Sequence, residues 1–445
     1  LFNFCLQALL ILILLCGCSS HRPWTNSGPK EPSKPYIVGS GPDRSIVAAV
    51  TLSGGGTRAA AFGLGVLATL KDTAIYWDGR HTTLLDEVSL ISGVSGGSVL
   101  AAHYAAFGDL TLKNFERDFL NVDFESRIIG RASTPEGMYK LGSPWFGRTH
   151  LLAEELDRLY EGRRFGDAAL RHGAPELLVT ATDLSHGAPF EFSHDQLAAM
   201  CIDWREIPLS FAVAASAAVP LILSPVTLNN YTGQCHSSDK AEISTSSDFR
   251  TQLRSATAAT YFDATRRPFI HLVDGGLSDN LGVRSLLDRF VASGSIADSF
   301  PDAPEGSIRR LILIVVNAER DASETIELDS RVPTTGQVLD TLVFGAGGRD
   351  TKVTLAILQQ DVVRWTEELT LARGRPGSPF SADAQIHALV VSLRVVPDPE
   401  RREALTRMPT SLSLSPGQVR ELQAAARSIL LSSPAFRRLV ASFQE

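Results

Sequence analysis

The amino-acid sequence predicts an α/β protein: a three-layer α/β/α arrangement about a mainly parallel central sheet, with a helical C-terminal extension. Two observations carry this expectation. Apolar runs of strand length alternate with Ala-rich helical stretches, the pattern of parallel strands joined by covering helices. The runs are also continuously apolar, as strands buried on both faces are, and the first two end in glycine-rich turns. With 445 residues, 44% of them hydrophobic, the chain has material for a large core.

Ile46 to Leu52 is the first such run, closed by Gly54-Gly55-Gly56 and followed by a helical stretch from Ala59 to Leu70, in which Gly63 and Gly65 allow close packing. Val88 to Ile91 reads as the second strand, with a glycine-rich turn and a helix from Ser98 to Phe107 behind it. Strands then follow at Leu177 to Thr182, Ile270 to Val273 and Leu311 to Val316, with a helix at Leu209 to Ala218. Residues 229–265 break the rhythm, being rich in Ser and Thr, and read as an inserted loop. The body is bounded at 46–320. An extension over 321–445, packed on the same domain, reads as polar helix over 320–385, a strand at Ala388 to Val395, and helix from Pro416 to Leu439 interrupted at Ser432-Ser433-Pro434.

Ahead of the body, Ala8 to Leu15 is a purely apolar run, too short to span a bilayer and suited to a signal sequence. Leu15-Cys16-Gly17-Cys18 resembles a lipobox. The expectation is a signal peptide over 1–17, lipidation of Cys18, and a flexible tether over 18–45 rich in Pro, Ser and Gly. An uncut anchor helix is the alternative. The lipoprotein reading places the protein in a bacterial cell envelope, at the outer membrane facing the periplasm, since Ser19 follows the lipidated cysteine. In that oxidising compartment Cys201 and Cys235 either pair or remain separate buried thiols. The net charge of −7, with no Lys/Arg-dense face, argues against a nucleic-acid partner.

Three motifs carry chemistry. Gly93-Val94-Ser95-Gly96-Gly97 is a G-x-S-x-G turn between an expected strand and an expected helix. Such a turn lifts the Ser95 hydroxyl above the sheet and needs small neighbours at Gly93 and Gly97. Ser53-Gly54-Gly55-Gly56-Thr57-Arg58 lets backbone N–H groups converge at a helix N-terminus, which makes an anion hole; a plain tight turn is the alternative. Asp274-Gly275-Gly276 puts a carboxylate at the end of a strand, where open parallel sheets build their sites, or forms an ordinary Asp-Gly turn. The spacings of zinc, EF-hand and P-loop motifs do not occur, so neither a metal nor a cofactor is expected.

Taken together and in this order, the three motifs resemble the patatin-like phospholipase family, as do Ala214-Ala215-Ser216-Ala217-Ala218-Val219-Pro220 and Ala181-Thr182-Asp183-Leu184. Ala59 departs from the pattern, standing where many members have Gly. The resemblance implies a patatin-like fold and a serine acyl hydrolase acting on lipid esters through a Ser95–Asp274 dyad. It also implies an oxyanion hole drawn from Gly54, Gly55, Gly56 and Gly96, and Arg58 as loop support or phosphate contact. Its partners are then a lipid or acyl-ester substrate and, through the N-terminal anchor, a membrane. Two other readings stand beside it. One is a lipid-binding or envelope-assembly lipoprotein that has lost turnover. The other is a Ser-His-Asp α/β-hydrolase, disfavoured because His387 is the only histidine after Asp274. His271, three residues before Asp274 on the same expected strand, points to the opposite face.

Overall fold

The computed structural model describes residues 19–31, 45–235, 248–320, 330–341 and 346–444. The expected signal peptide and Cys18 lie outside them. In chain order the strands are β1 (Ile46–Leu52), β2 (Ala74–Trp77), β3 (Arg80–Thr83), β4 (Val88–Val94) and β5 (Glu176–Asp183). They continue as β6 (Ala188–Phe192), β7 (Val226–Asn229), β8 (Phe269–Val273), β9 (Ile308–Asn317) and β10 (Phe380–Ser392). The helices that position the site are α1 (Gly56–Asp72), α2 (Gly96–Phe107), α3 (Arg148–Leu159), α4 (Leu209–Ser216), α5 (Phe249–Tyr261), α6 (Arg284–Ala292), α7 (Ala346–Ala372), α8 (Pro416–Ser432) and α9 (Pro434–Ala441).

The sheet has the order β10-β9-β1-β4-β5-β8-β7, with β6 also paired to β5. From β10 to β5 all neighbours are parallel. β6 and β8 run antiparallel to β5, and β7 antiparallel to β8. Side chains alternate between two cores. Ala48, Val50, Leu52, Ile312, Ile314 and Val316 face one, packed with α1, α2 and α8. Val47, Leu311 and Val315 face the other, with α6 and α7. Burial on both faces is why these strands read as unbroken apolar runs. The close packing expected at Gly63 and Gly65 is made by Leu100 of α2 and by Gln423 and Ala426 of α8.

The C-terminal extension shares this architecture, since β10 is the edge strand of the same sheet and α8 lies along α1. Its strand begins at Phe380, eight residues before the expected start, because the polar residues from Ser381 to Gln385 occupy an edge. The 229–265 segment differs from the expected loop. Asp248 caps α5 by accepting from the Thr251 N–H, and the helix runs to Tyr261, which is buried. Its Ser and Thr, buried or half-buried, hid the periodicity. Residues 236–247 lie outside the description.

The tether expectation is corrected for residues 19–31, which lie against the body as an extended strap. Ser143 Oγ donates to His21 O at 2.6 Å. The Trp24 ring sits 4.6 Å from that of Phe211, and Asn26 exchanges hydrogen bonds with the Asn229 backbone at 2.8 and 2.9 Å. Lys30 N–H donates to Cys201 O at 2.9 Å. A polar, proline-rich composition conceals such a strap because one half-buried Trp and one buried Asn anchor it. Cys201 and Cys235 form a disulfide with Cα atoms 5.7 Å apart. No described helix is long and apolar enough to cross a membrane.

Candidate active site

β4 ends at Val94, and Ser95 turns the chain into α2 with φ +49°, the left-handed region that costs a residue bearing a Cβ. The turn is held from three sides. Ser95 N–H donates to Ser216 Oγ at 2.8 Å, Ser216 Oγ donates to Thr180 O at 2.6 Å, and Ser98 Oγ donates to Ser95 O at 2.6 Å. A Cβ on Gly96 would collide with the Gly56 carbonyl, so the serine turn and the triple-glycine turn touch only because that position is glycine.

Asp274 reaches the same place by an unexpected route. Its strand β8 is antiparallel to β5, with Val273 opposite Thr182. The carboxylate is therefore delivered by an antiparallel strand within the sheet, between β5 and β7, and not by a parallel neighbour. Asp274 N–H donates to Ala218 O at 3.0 Å and Thr182 Oγ1 donates to Asp274 O at 2.8 Å. Its Oδ1 accepts from Gly276 N–H at 2.8 Å and its Oδ2 from Ser95 Oγ at 2.8 Å. Burial pushes this carboxyl up to about 6, opposed by those two donors.

Above the pair is a cleft of 40 Å³ lined by Gly54, Gly55, Val219, Leu277 and Asn280, among others. The N–H groups of Gly55, Gly56 and Gly96 have no acceptor among the described residues, as befits first positions at helix N-termini. Gly54 is corrected as a donor, because its only N–H is used on Asn280 O at 2.9 Å. Arg58 is buried and supports the loop. Its Nε donates to Ala318 O at 2.9 Å and its other nitrogens reach Met408 O and Thr410 Oγ1, so a phosphate contact is not its use here. Thr57 N–H donates to Ser411 O at 2.9 Å. The C-terminal segment 408–411 thus braces the glycine loop, a role with no signature in the sequence. Asn280 and Ser216 were missed as well. Ser216 lay in a quoted motif, but only its distance from Ser95 gives it a role.

The histidines stand elsewhere. His271 is exposed and bonds Thr227 Oγ1 at 3.0 Å, on the side of β8 away from Asp274. His387 lies within β10, opposite Ile312. Asp183, at the end of β5, takes hydrogen bonds from Arg267 at 2.6 Å and from the Tyr261 hydroxyl at 2.8 Å, a buried structural pair. Among the described residues no three His, Cys, Asp or Glu gather as a metal site. A larger cavity of 620 Å³ lies between β6, α5 and α6; the Ser95–Asp274 pair opens into the smaller cleft.

Fold and site define a class: three-layer α/β/α proteins with a serine–carboxylate pair above the ends of parallel strands. Within it, residues 50–287 match the model of the patatin-like phospholipase family, and the chain belongs to that family. Among solved structures, human GIVD cytosolic phospholipase A2 is similar at 15% identity and a TM-score of 0.46, over 90% of this chain and 62% of that one. VipD from Legionella pneumophila is similar at 10% identity and a TM-score of 0.29, over 90% of this chain and 71% of that one. The chain thus spans about three-fifths of the length of the human enzyme. No curated protein sequence matches it.

Proposed function

We propose that the protein hydrolyses carboxylic ester bonds of lipids, with Ser95 as nucleophile and Asp274 as general base. The observation that carries this reading is the 2.8 Å hydrogen bond from Ser95 Oγ to Asp274 Oδ2, in a cleft also lined by Gly55, whose N–H has no acceptor among the described residues, in a chain of the patatin-like family. As Ser95 Oγ bonds to the ester carbonyl carbon, its proton passes to Asp274. The carbonyl oxygen becomes an oxyanion held by the Gly55 and Gly56 N–H groups, with Gly96 behind them; one such donor contributes about 10²–10³ in kcat. The carbon–alkoxy bond then breaks and Asp274 returns the proton to the leaving alcohol. Water attacks the acyl carbon, gives a proton to Asp274, and the acid departs as Ser95 recovers its hydrogen.

A carboxylate is a weak base for a serine hydroxyl, so the pair must be close and poorly hydrated; burial of Asp274 supplies the second condition. The test is fluorophosphonate labelling with peptide mapping, alongside mass spectrometry of acids released from phospholipid and glyceride vesicles. Label on Ser95 and released fatty acid are expected from the parent, and neither from Ser95→Ala. Wild-type turnover by Asp274→Asn, or label on another serine, would end the assignment. Anchoring through a lipidated Cys18 is a further part of the proposal, tested by the intact mass of the N-terminal peptide.

A further inference from the structure

We infer that the surface formed by Trp145, Leu221 and Ile222, flanked by Arg22 and Arg148, docks on a phospholipid bilayer and seats the cleft against it. The segment 218–224 runs straight out of the site. Ala218 O accepts from Asp274 N–H at 3.0 Å, Val219 lines the cleft, and a turn follows that Leu223 N–H closes on Val219 O at 2.8 Å. Leu223 is buried beneath the turn, whereas Leu221 is 60% and Ile222 63% exposed. Leu221 also holds φ +71°, which a leucine adopts only against steric cost. A strained backbone that pushes two large apolar side chains into water contributes nothing to folding; another apolar phase accounts for both features.

The neighbouring segment continues the face. Arg148 donates to Leu221 O at 2.7 Å and the Thr149 hydroxyl donates to Ser224 O, so residues 145–149 lie alongside the turn. Trp145 is 45% exposed, with the Arg22 guanidinium stacked 3.3 Å from its ring centroid. Neither Arg22 nor Arg148 has a carboxylate partner among the described residues. An amphipathic indole beside guanidinium groups that no described carboxylate neutralises suits the headgroup level of a bilayer, where arginine meets phosphate.

The N-terminal strap arrives on this face. His21 packs on Phe146 with ring centroids 5.1 Å apart, and the described strap begins at Ser19. The apolar run Ala8 to Leu15 precedes that residue in sequence. The exposed apolar turn, the cations and the described start of the strap therefore lie on one side, and the indole beside two arginines favours a bilayer over a second copy of the chain.

The choice of a lipid partner rests on the proposed function, so docking is read in the Ser95→Ala protein, without turnover. Full-length protein is mixed with phosphatidylcholine/phosphatidylglycerol vesicles carrying brominated acyl chains, which quench tryptophan on contact. Trp24, Trp77, Trp204 and Trp365 are half-buried or buried. Quenching is expected in the parent and is lost in Trp145→Phe and in Leu221→Asn/Ile222→Ser, Asn being chosen because it tolerates positive φ. With Ser95 restored, the double variant keeps its rate on a water-soluble ester and loses about tenfold on vesicles. Quenching unchanged in either variant overturns the inference, as does a dimer that the double substitution disperses. Variant-sensitive quenching without hydrolysis of any ester supports this docking face while overturning the proposed hydrolase.

Discussion

Ser95 Oγ and Asp274 Oδ2 stand 2.8 Å apart although 179 positions of sequence separate them. The first predictions follow from the carboxylate's surroundings. Burial pushes Asp274 up to about 6, and a general base acts only when ionised. Turnover of a soluble ester should therefore fall as pH drops through about 6, with the slope of one proton, and level off above it. A kcat/KM profile checks this; a limb centred near the ordinary aspartate value, about 4, would contradict the buried-base account.

The same shift has a consequence for stability. A carboxyl whose folded value is raised binds more protons in the native state, so the native state loses stability as pH rises from about 4 to about 6. Asp274→Asn removes that ionisation while keeping an oxygen for the Gly276 N–H. It should be more stable than the parent at pH 8, by up to roughly 3 kcal/mol, and lose the advantage at about pH 4. Urea denaturation at the two pH values measures the difference.

Ser216 ties the strained serine turn to β5 by accepting from Ser95 N–H and donating to Thr180 O. Ser216→Ala leaves a buried N–H without an acceptor, a loss of about 1–3 kcal/mol. It also frees the Ser95 backbone, so kcat should fall by roughly 10²-fold while KM changes little. Equal loss in KM and kcat would mean that Ser216 acts on substrate binding instead.

The disulfide closes a loop of 34 residues in sequence and sits where Lys30 of the strap bonds Cys201 O. By chain entropy such a link contributes about 3–4 kcal/mol. Cys201→Ser with Cys235→Ser should lower the denaturation midpoint accordingly, and limited proteolysis should cut sooner between residues 19 and 31. An unchanged midpoint would show that the reduced chain holds the same loop closed.

Much of the core was legible. β1 was expected and found at Ile46–Leu52, β4 and β9 differ from expectation only at their ends, and the break at Ser433-Pro434 separates α8 from α9. Apolar continuity and glycine punctuation report burial and turns directly, so these elements declare themselves. The errors share a cause. The strap at 19–31, helix α5 and the early start of β10 are polar stretches whose structure depends on a few contacts made far away, and local composition is silent about those.

The sequence by itself singled out Ser95 and Asp274 as candidates, since both sit in short motifs whose residue types follow from local backbone geometry, and the resemblance those motifs carry implied their pairing. It also determined the layered fold, because periodicity and burial are linked residue by residue. Only the tertiary structure decided which amides remain open and how the pair is held. Gly54 is consumed by Asn280, Arg58 by carbonyls of residues 318 and 408, and Ser95 N–H by Ser216. Each hydrogen-bonding group is satisfied by whatever the fold brings near, and that proximity is set by the packing of distant elements and not by neighbours in the chain.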